Sequence, residues 1–342
     1  MVRPILVILG PTAVGKTDLS LALAHDLDAE IVGADSRQLY RFLDIGTAKP
    51  SVAQRQAVPH HLIDVVNPDE PLNAAMFSRM AWACIRAIEA RGKRPLVVGG
   101  SGLYIRALTD GLFTGPSADR DLRASLEAEA NLGGIHILHD RLAQVDPQSA
   151  RRIHPHDRVR IIRALEVYTL TGTPISEWQR QWHPPQRPQP FVLIGLQRDR
   201  HDLRARIAAR TQAIIRKGLV TEVRWLLAEG FSPGLPPLRS VGYAEIIAYL
   251  AGEYSLTEAQ ALIARNTWHL AKRQMTWFRR VTGIRWVSLT GVPEAAVVEA
   301  VQAILADALR SQEGSSMDGR RENAVVRCPC VEGATPQPLL PT

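Results

Sequence analysis

Residues 4–17 read Pro4-Ile5-Leu6-Val7-Ile8-Leu9-Gly10-Pro11-Thr12-Ala13-Val14-Gly15-Lys16-Thr17. An apolar run of strand length leads into a loop framed by two glycines and closed by Lys-Thr. Leu19, Ala22, Leu23 and Leu27 then recur at helical spacing. Strand, glycine-framed loop and helix in that order make a phosphate-binding loop in its structural context. The residue types follow from what an anion needs. Gly10 and Gly15 admit backbone conformations and approaches that a Cβ would forbid. Loop N–H groups and the positive end of the helix aim at one point, where an anion gains most. Lys16 adds a full charge there, and the Thr17 hydroxyl is placed to ligate Mg²⁺. Residues 10–17 are thus expected to bind a phosphate or diphosphate.

Downstream, apolar runs alternate with helical patterns. Ala29 to Ala34 ends in Asp35-Ser36-Arg37-Gln38, Leu62 to Val66 follows His60-His61, and Pro95 to Val98 ends in Gly99-Gly100-Ser101-Gly102. Between the last two runs a helix is expected from about Asn73, its N-cap, to Arg91, with Met76, Met80, Cys84, Ala87 and Ile88 on its buried face. This alternation predicts an α/β fold with a parallel sheet. Parallel sheets bind ligands beyond the carboxyl ends of their strands, so the phosphate loop, Asp35-Ser36 and the segment from Gly99 to Tyr104 should face one crevice. Asp35 suits two roles there, as a Mg²⁺ partner of Thr17 or as a general base toward an incoming nucleophile. His60 and His61 suit either a structural or a catalytic role.

From Gly115 to Pro190 the strand pattern stops. Leu122, Leu126, Ile135, Leu138 and Leu142 read as helical, as does Asp157 to Thr171, and a proline-rich stretch follows from Pro184 to Pro190. The expected organisation is a core of residues 1–114 and 191–310, a helical insertion of residues 115–190, and a disordered tail of residues 311–342 rich in Gly, Ser and Pro. In the second part of the core, Phe191 to Leu196 and Ile284 to Leu289 read as strands. A long helix from Thr257 to Arg280 carries Arg265, His269, Lys272, Thr276 and Arg279 as one basic stripe. Arg158, Arg160 and Arg163, with Arg123 nearby, form a second basic cluster in the insertion.

The bulk properties fit this plan. The chain has 342 residues, of which 46% are hydrophobic and 22% charged, and no apolar run reaches membrane-spanning length. With the phosphate loop starting so near Met1, no leader peptide is expected. Three cysteines, Cys84, Cys328 and Cys330, make no disulfide framework and suit a reducing cytoplasm, and Cys328-Pro-Cys330 lacks a second pair for zinc. The net charge of +7 rests on arginine, with only five lysines. It suits a nucleic-acid partner and equally a base composition that favours arginine codons.

Taken together, the segments Gly10–Thr17, Asp35–Arg41, Asp44–Pro50, His60–Asp64, Gly99–Tyr104, Arg163–Tyr168, Val241–Tyr243 and Lys272–Arg279 resemble, in order, those of the bacterial-type tRNA dimethylallyltransferase (isopentenyltransferase) family. The resemblance implies a P-loop NTPase-like parallel sheet core with an inserted all-helical domain. The implied reaction moves a dimethylallyl group from dimethylallyl diphosphate to N6 of the adenosine beside the anticodon of tRNA. Mg²⁺ is the implied cofactor, and a cytoplasmic monomer the implied state.

In that family Asp35 takes the amine proton, Ser101 helps hold the amine, and Lys16, Thr17 and Arg210 stabilise the departing diphosphate. The resemblance places tRNA against Asp35, Ser36, Arg37, Gln38, Ser101 and Arg123. It does so also for Val159, Arg160, Ile161, Ile162 and Arg163, and for Arg239, Ser240, Val241, Gly242, Tyr243 and Ala244. Lys272, Arg273, Gln274, Met275, Thr276, Trp277, Phe278 and Arg279 complete the implied surface, which grips the anticodon stem-loop. Ser101 stands where the family usually has Thr, and Ala244 where related chains often have Arg. Two other classes remain compatible with a phosphate loop, a small-molecule kinase that uses ATP and a non-catalytic RNA-binding module.

Overall fold

The computed structural model describes residues 3–113, 115–181, 190–314 and 325–326. Its contacts divide the chain into two compact units, Met1–Thr109 with Arg187–Thr342, and Asp110–Gln186. The second unit begins and ends slightly ahead of the expected insertion of residues 115–190. The proline-rich stretch from Pro184 to Gln189 and Cys328-Pro-Cys330 lie outside the described residues.

The first unit opens with β1 (Ile5–Leu9), α1 (Lys16–Asp26), β2 (Ala29–Ala34), α2 (Val52–Ala57), β3 (His60–His61), α3 (Ala74–Ala90), β4 (Arg94–Gly99) and α4 (Gly102–Thr109). The second unit is helical in its described residues, with α5 (Arg120–Gly133), α6 (Ile135–Val145), α7 (Pro147–Arg152), α8 (Arg158–Thr171) and α9 (Ile175–Gln181). The first unit then resumes with β5 (Phe191–Gln197), α10 (Arg200–Arg216), α11 (Leu219–Ala228), α12 (Tyr243–Leu250), α13 (Leu256–Phe278), β6 (Ile284–Ser288), α14 (Glu294–Gly314) and β7 (Val325–Val326).

All pairings in the sheet are parallel, in the order β3-β2-β4-β1-β5-β6-β7. β1 is central and buried along its whole length, as a continuous Ile-Leu-Val-Ile-Leu run requires when helices cover both faces of a sheet. Its Leu9 lies level with Gly99 of β4, and Gly99 lies level with Ala34 of β2. The register therefore ends three strands on one line, and the residues that follow them emerge side by side. On one face, Leu19 and Leu23 of α1 and Val297 and Val301 of α14 pack against Leu6, Ile8, Ile31, Leu96 and Ile194. A second cluster joins α11, α12 and α13 through Leu219, Val223, Leu226, Ile246 and Ile263.

Four expectations need correction. The third strand is His60–His61, not Leu62 to Val66, because Leu62 (φ 62°) and Asp64 (φ 58°) turn the chain out of the extended region. Val66 keeps only an isolated parallel bridge to Tyr40. The turn delivers the Asp64 carboxylate to Lys49 at 2.5 Å and to Arg55 at 2.9 Å, and the Lys49 ammonium is held by Asp44 as well. Second, α3 buries Ala74, Phe77, Ala81, Ile85 and Ile88, while Met76, Met80 and Cys84 are half-buried and Ala87 is exposed. Phe77, stacked on Tyr104 at 4.5 Å, selects that face. Burial raises the Cys84 thiol pKa, which fits a packing role.

Third, α14 continues past Arg310 to Gly314, and Val325–Val326 pairs with β6, so these parts of the expected tail have regular structure. Fourth, the basic cluster of the helical unit is largely paired. Arg123 and Arg163 both grip the Glu166 carboxylate, at 2.8 and 2.6 Å, and that side chain has no exposure. Burial pushes the Glu166 pKa up, but the hydrogen bonds from Arg123, Arg163 and the Asp119 N–H outweigh it and hold the carboxyl below its usual range. Arg158 pairs with Glu127 at 2.5 Å and Arg160 with Asp157 at 3.4 Å. Ile161 and Ile162 are core residues of this unit, whereas Val159 is 78% exposed.

Candidate active site

The loop after β1 turns through Ala13 and Gly15, the latter capping α1 at φ 111°, where a side chain would be strained. Two arginines brace it from α10 and its approach. Arg198 donates to the Val14 carbonyl at 2.7 Å, and Arg206 to the Ala13 carbonyl at 3.1 Å. The Lys16 ammonium donates to the carbonyls of Gly10 and Pro11, at 3.0 and 2.8 Å. Burial pushes its pKa down to about 8; the Asp35 carboxylate opposes that fall and the Arg210 charge adds to it.

Beside the loop is a cavity of about 430 Å³, lined by Thr12 to Asp18 with Asp35, Gln38, Thr47, Arg206 and Arg210. Gly10 and Pro11 do not line it. A second cavity, of about 560 Å³, is lined by Asp35, Ser36, Arg37, Ser101, Arg239, Ser240, Val241, Tyr243, Arg273 and Trp277, with Ile207, Ile214 and Ile263 supplying apolar wall. Thr12, Asp35, Thr47, Arg210 and Gln274 line both. A chamber around the glycine loop, with Lys16, Arg206 and Arg210 in its wall, and a larger, mixed chamber thus meet at the Asp35 carboxylate.

The strand ends hold one another in place. Ser101 accepts from the Ser36 N–H at 2.9 Å and donates its own N–H to the Ala34 carbonyl at 3.2 Å. Asp35 accepts from the Arg37 N–H at 2.9 Å, which fixes one carboxylate oxygen within its own turn. Arg210 reaches the Thr47 carbonyl at 3.4 Å; burial lowers its pKa and the Asp35 charge opposes that shift. Gln38 donates to the carbonyls of Thr47 and Ala48, at 3.2 and 3.3 Å.

The segment that carries Thr47 is gripped by a residue the sequence did not single out. Glu222 of α11 accepts from the N–H groups of Asp44, Ile45 and Gly46, at 3.0, 2.7 and 3.2 Å, and from the Tyr243 hydroxyl at 2.6 Å. The Tyr243 ring is buried, and a Cβ on Gly46 would stand 2.4 Å from it. Burial first, and the Glu222 charge second, raise the Tyr243 pKa, so its hydroxyl stays protonated and donates. No local signal could have exposed Glu222, whose backbone partners lie 176 to 178 residues away in the chain.

The residues expected to meet RNA divide. Asp35, Ser36, Arg37, Ser101, Arg239, Ser240, Val241, Tyr243, Arg273, Gln274 and Trp277 line the larger cavity, and Gln38 the phosphate cavity. Lys272, Met275, Thr276 and Arg279 instead line a separate groove with Pro11, Arg200 and Trp268. Over the Trp268 ring lie the guanidinium groups of Arg204 at 4.6 Å and Arg200 at 5.8 Å. Phe278 and Gly242 are buried, and Ala244 sits in the first turn of α12 outside these cavities. Arg123 and Val159 to Arg163 belong to the helical unit. His60 bonds the Val58 carbonyl and His61 the Glu30 carboxylate, which Arg91 also holds, and neither histidine lines the two cavities.

Comparison with known proteins agrees with this architecture. The family model described as IPP transferase matches residues 38–281, and one described as isopentenyl transferase matches residues 3–66. The chain is 52% identical over 283 residues to tRNA dimethylallyltransferase 2 of Geotalea uraniireducens, covering 83% of this chain and 91% of that one. It is 49% identical, with the same coverage, to tRNA dimethylallyltransferase of Geobacter sulfurreducens. Among solved structures, the tRNA isopentenylpyrophosphate transferase of Bacillus halodurans superposes with a TM-score of 0.67 at 37% identity, covering 91% of this chain and 99% of that one. With a P-loop NTPase-like core, a helical second unit and matches of this extent, the chain belongs to the IPP transferase family.

Proposed function

We propose that this protein transfers a dimethylallyl group from dimethylallyl diphosphate to N6 of the adenosine on the 3′ side of the anticodon in tRNA. The observation that carries this reading is the pair of cavities meeting at Asp35. One is built for a diphosphate, and the other has the size and the arginine-rich lining for a nucleotide. The base must leave its stack to enter, as it does in other enzymes that modify bases.

In the reaction the carbon–oxygen bond of the allylic diphosphate breaks and its electron pair leaves with the diphosphate. Lys16, Arg210 and the loop amides stabilise that charge. The N6 lone pair forms the new carbon–nitrogen bond, and the amine proton passes to the Asp35 carboxylate. Ser101 orients the amine in this reading, supported by its anchoring between Ser36 and Ala34.

The hydroxyl at the phosphate loop suits Mg²⁺, which would be held with few protein ligands. Thr17, in the first turn of α1 at the cavity wall, would offer its hydroxyl to the ion, and among the described residues no three His, Cys, Asp or Glu side chains converge into a protein cage. When bound, the ion neutralises diphosphate charge. Among the described residues no helix is long and apolar enough to cross a membrane.

Nucleosides digested from the tRNA of cells lacking this protein should have lost N6-dimethylallyladenosine and its derivatives. Their persistence would overturn the assignment. The Lys16 pKa supplies a second expectation. Between about pH 7 and 8, above the terminal phosphate's own ionisation at about pH 6, the ammonium is charged and binding of dimethylallyl diphosphate without RNA should vary little with pH. Above that range, binding must take up a proton, so affinity falls by up to about tenfold per pH unit. Calorimetry in buffers of different ionisation enthalpy reads both effects; constant affinity without proton uptake would contradict them.

A further inference from the structure

The face of α13 toward the catalytic loops carries one amide side chain that touches two of them. Gln274 Oε1 accepts from the Thr12 N–H of the phosphate loop at 2.8 Å, and Gln274 Nε2 donates to the Gly100 carbonyl at 3.0 Å. The orientation of the amide follows from its partners, since a backbone N–H demands an acceptor and a carbonyl demands a donor. Gly100 has no side chain to obstruct it; a Cβ there would stand 2.6 Å from Nε2. Gly102 is matched in the same way to Trp277, whose ring a Cβ would meet at 2.3 Å. Two glycines of the Gly99–Gly102 segment thus make room for two side chains of one helix.

From Gly100 the connections run on. Ser101, the next residue, holds the Ser36 N–H, and Ser36 follows Asp35. Thr12–Gln274–Gly100 and Ser101–Ser36 therefore tie together the ends of β1, β4 and β2. Gln274 also lines both cavities.

We propose that Gln274 is a positioning residue that sets the distance between the leaving-group loop and the Asp35–Ser101 pair, not a contributor to RNA affinity. This rests on the prenyl-transfer reading above. Two loops joined through one amide hold the donor carbon and the acceptor nitrogen in register, and a misplacement of about 1 Å in such a geometry costs roughly 10²-fold in rate. It also commits the Thr12 N–H to the protein, leaving the amides nearer Lys16 to the diphosphate. Arg273 and Lys272, flanking Gln274 on the exposed side of the helix, are free to meet a polyanion.

The test compares wild type with Gln274→Leu, Gln274→Glu and Gly100→Ala in steady-state prenylation of an anticodon stem-loop RNA, alongside RNA binding by fluorescence anisotropy and thermal melting. Gln274→Leu removes both bonds while keeping an uncharged side chain of similar volume. It should lower kcat about 10²-fold while the RNA Kd changes less than threefold. Gln274→Glu keeps the acceptor for Thr12 and should recover part of the loss. Gly100→Ala leaves α13 intact and displaces the amide, so it should lower kcat in the same way.

Unchanged kcat with a weakened RNA Kd in Gln274→Leu would overturn the proposal in favour of an RNA contact. If Gln274→Leu melts well below wild type, Gln274→Glu and Gly100→Ala decide: wild-type kcat in both would overturn it equally. Activity of the wild type separates the two levels of claim. A wild type that transfers nothing defeats the functional reading, whereas an active wild type matched by Gln274→Leu defeats only the strut.

Discussion

Asp35→Asn should lower the turnover of tRNA prenylation by about 10³-fold, with the Kd for RNA changed less than threefold. The exocyclic amine of adenine is a weak nucleophile whose proton must leave as the new bond forms, and a positioned base contributes typically 10²–10⁴-fold to such a step. Asp35 lies on the wall shared by the two cavities, with one oxygen committed to the Arg37 N–H at 2.9 Å. Asn retains an oxygen for that bond, so the turn and the RNA-facing surface survive while the base is lost. Single-turnover rates with saturating RNA and dimethylallyl diphosphate measure the effect. A large loss of RNA affinity at unchanged rate would make Asp35 a binding residue instead.

Glu222→Ala should cost about 3 kcal/mol of unfolding free energy, because it leaves four donors without an acceptor. A buried donor without a partner costs about 1–3 kcal/mol, and of the four only the Tyr243 hydroxyl is held by a fully buried ring; the loop amides can turn to water. Glu222→Gln retains an acceptor oxygen and should lose roughly a third as much. The consequence extends to the site, since the gripped segment carries the Thr47 carbonyl that receives Gln38 and Arg210. Denaturant unfolding of the three proteins gives the free energies. A loss below about 1 kcal/mol in Glu222→Ala would mean that water or a neighbour replaces the carboxylate.

What could be read from the chain alone is what its neighbours in sequence encode. The phosphate loop declares itself because strand, loop and helix are contiguous, and the strand ends at Asp35 and Gly99 follow from apolar runs that stop at polar or glycine residues. Their convergence needed only the rule for parallel sheets, and the register of Leu9, Ala34 and Gly99 bears it out.

Features that depend on distant partners were not legible. Both stripes of α3 are apolar, and only packing against Tyr104 and the sheet decides that Phe77 rather than Met76 is buried. The left-handed turns at Leu62 and Asp64 are at non-glycine positions and leave no mark in an apolar run. In the basic cluster of the helical unit, the pairs Arg123–Glu166 and Arg158–Glu127 join α5 to α8 and form only when the helices pack, whereas Arg163–Glu166 and Arg160–Asp157 are three residues apart and could have been read from the spacing. Likewise the period of α13 shows a basic stripe, but not that Arg273 and Lys272 open onto different cavities.

In the proposed reaction the glycine loop holds a leaving group and not a fuel molecule. Purified protein with dimethylallyl diphosphate, Mg²⁺ and unmodified tRNA, in the absence of ATP, tests it most directly when diphosphate release and modified adenosine are counted in the same reaction. One diphosphate is expected for each N6-dimethylallyladenosine formed, and no nucleotide hydrolysis when ATP is supplied in place of the prenyl donor. ATP turnover without RNA, with no prenylated adenosine, would contradict it.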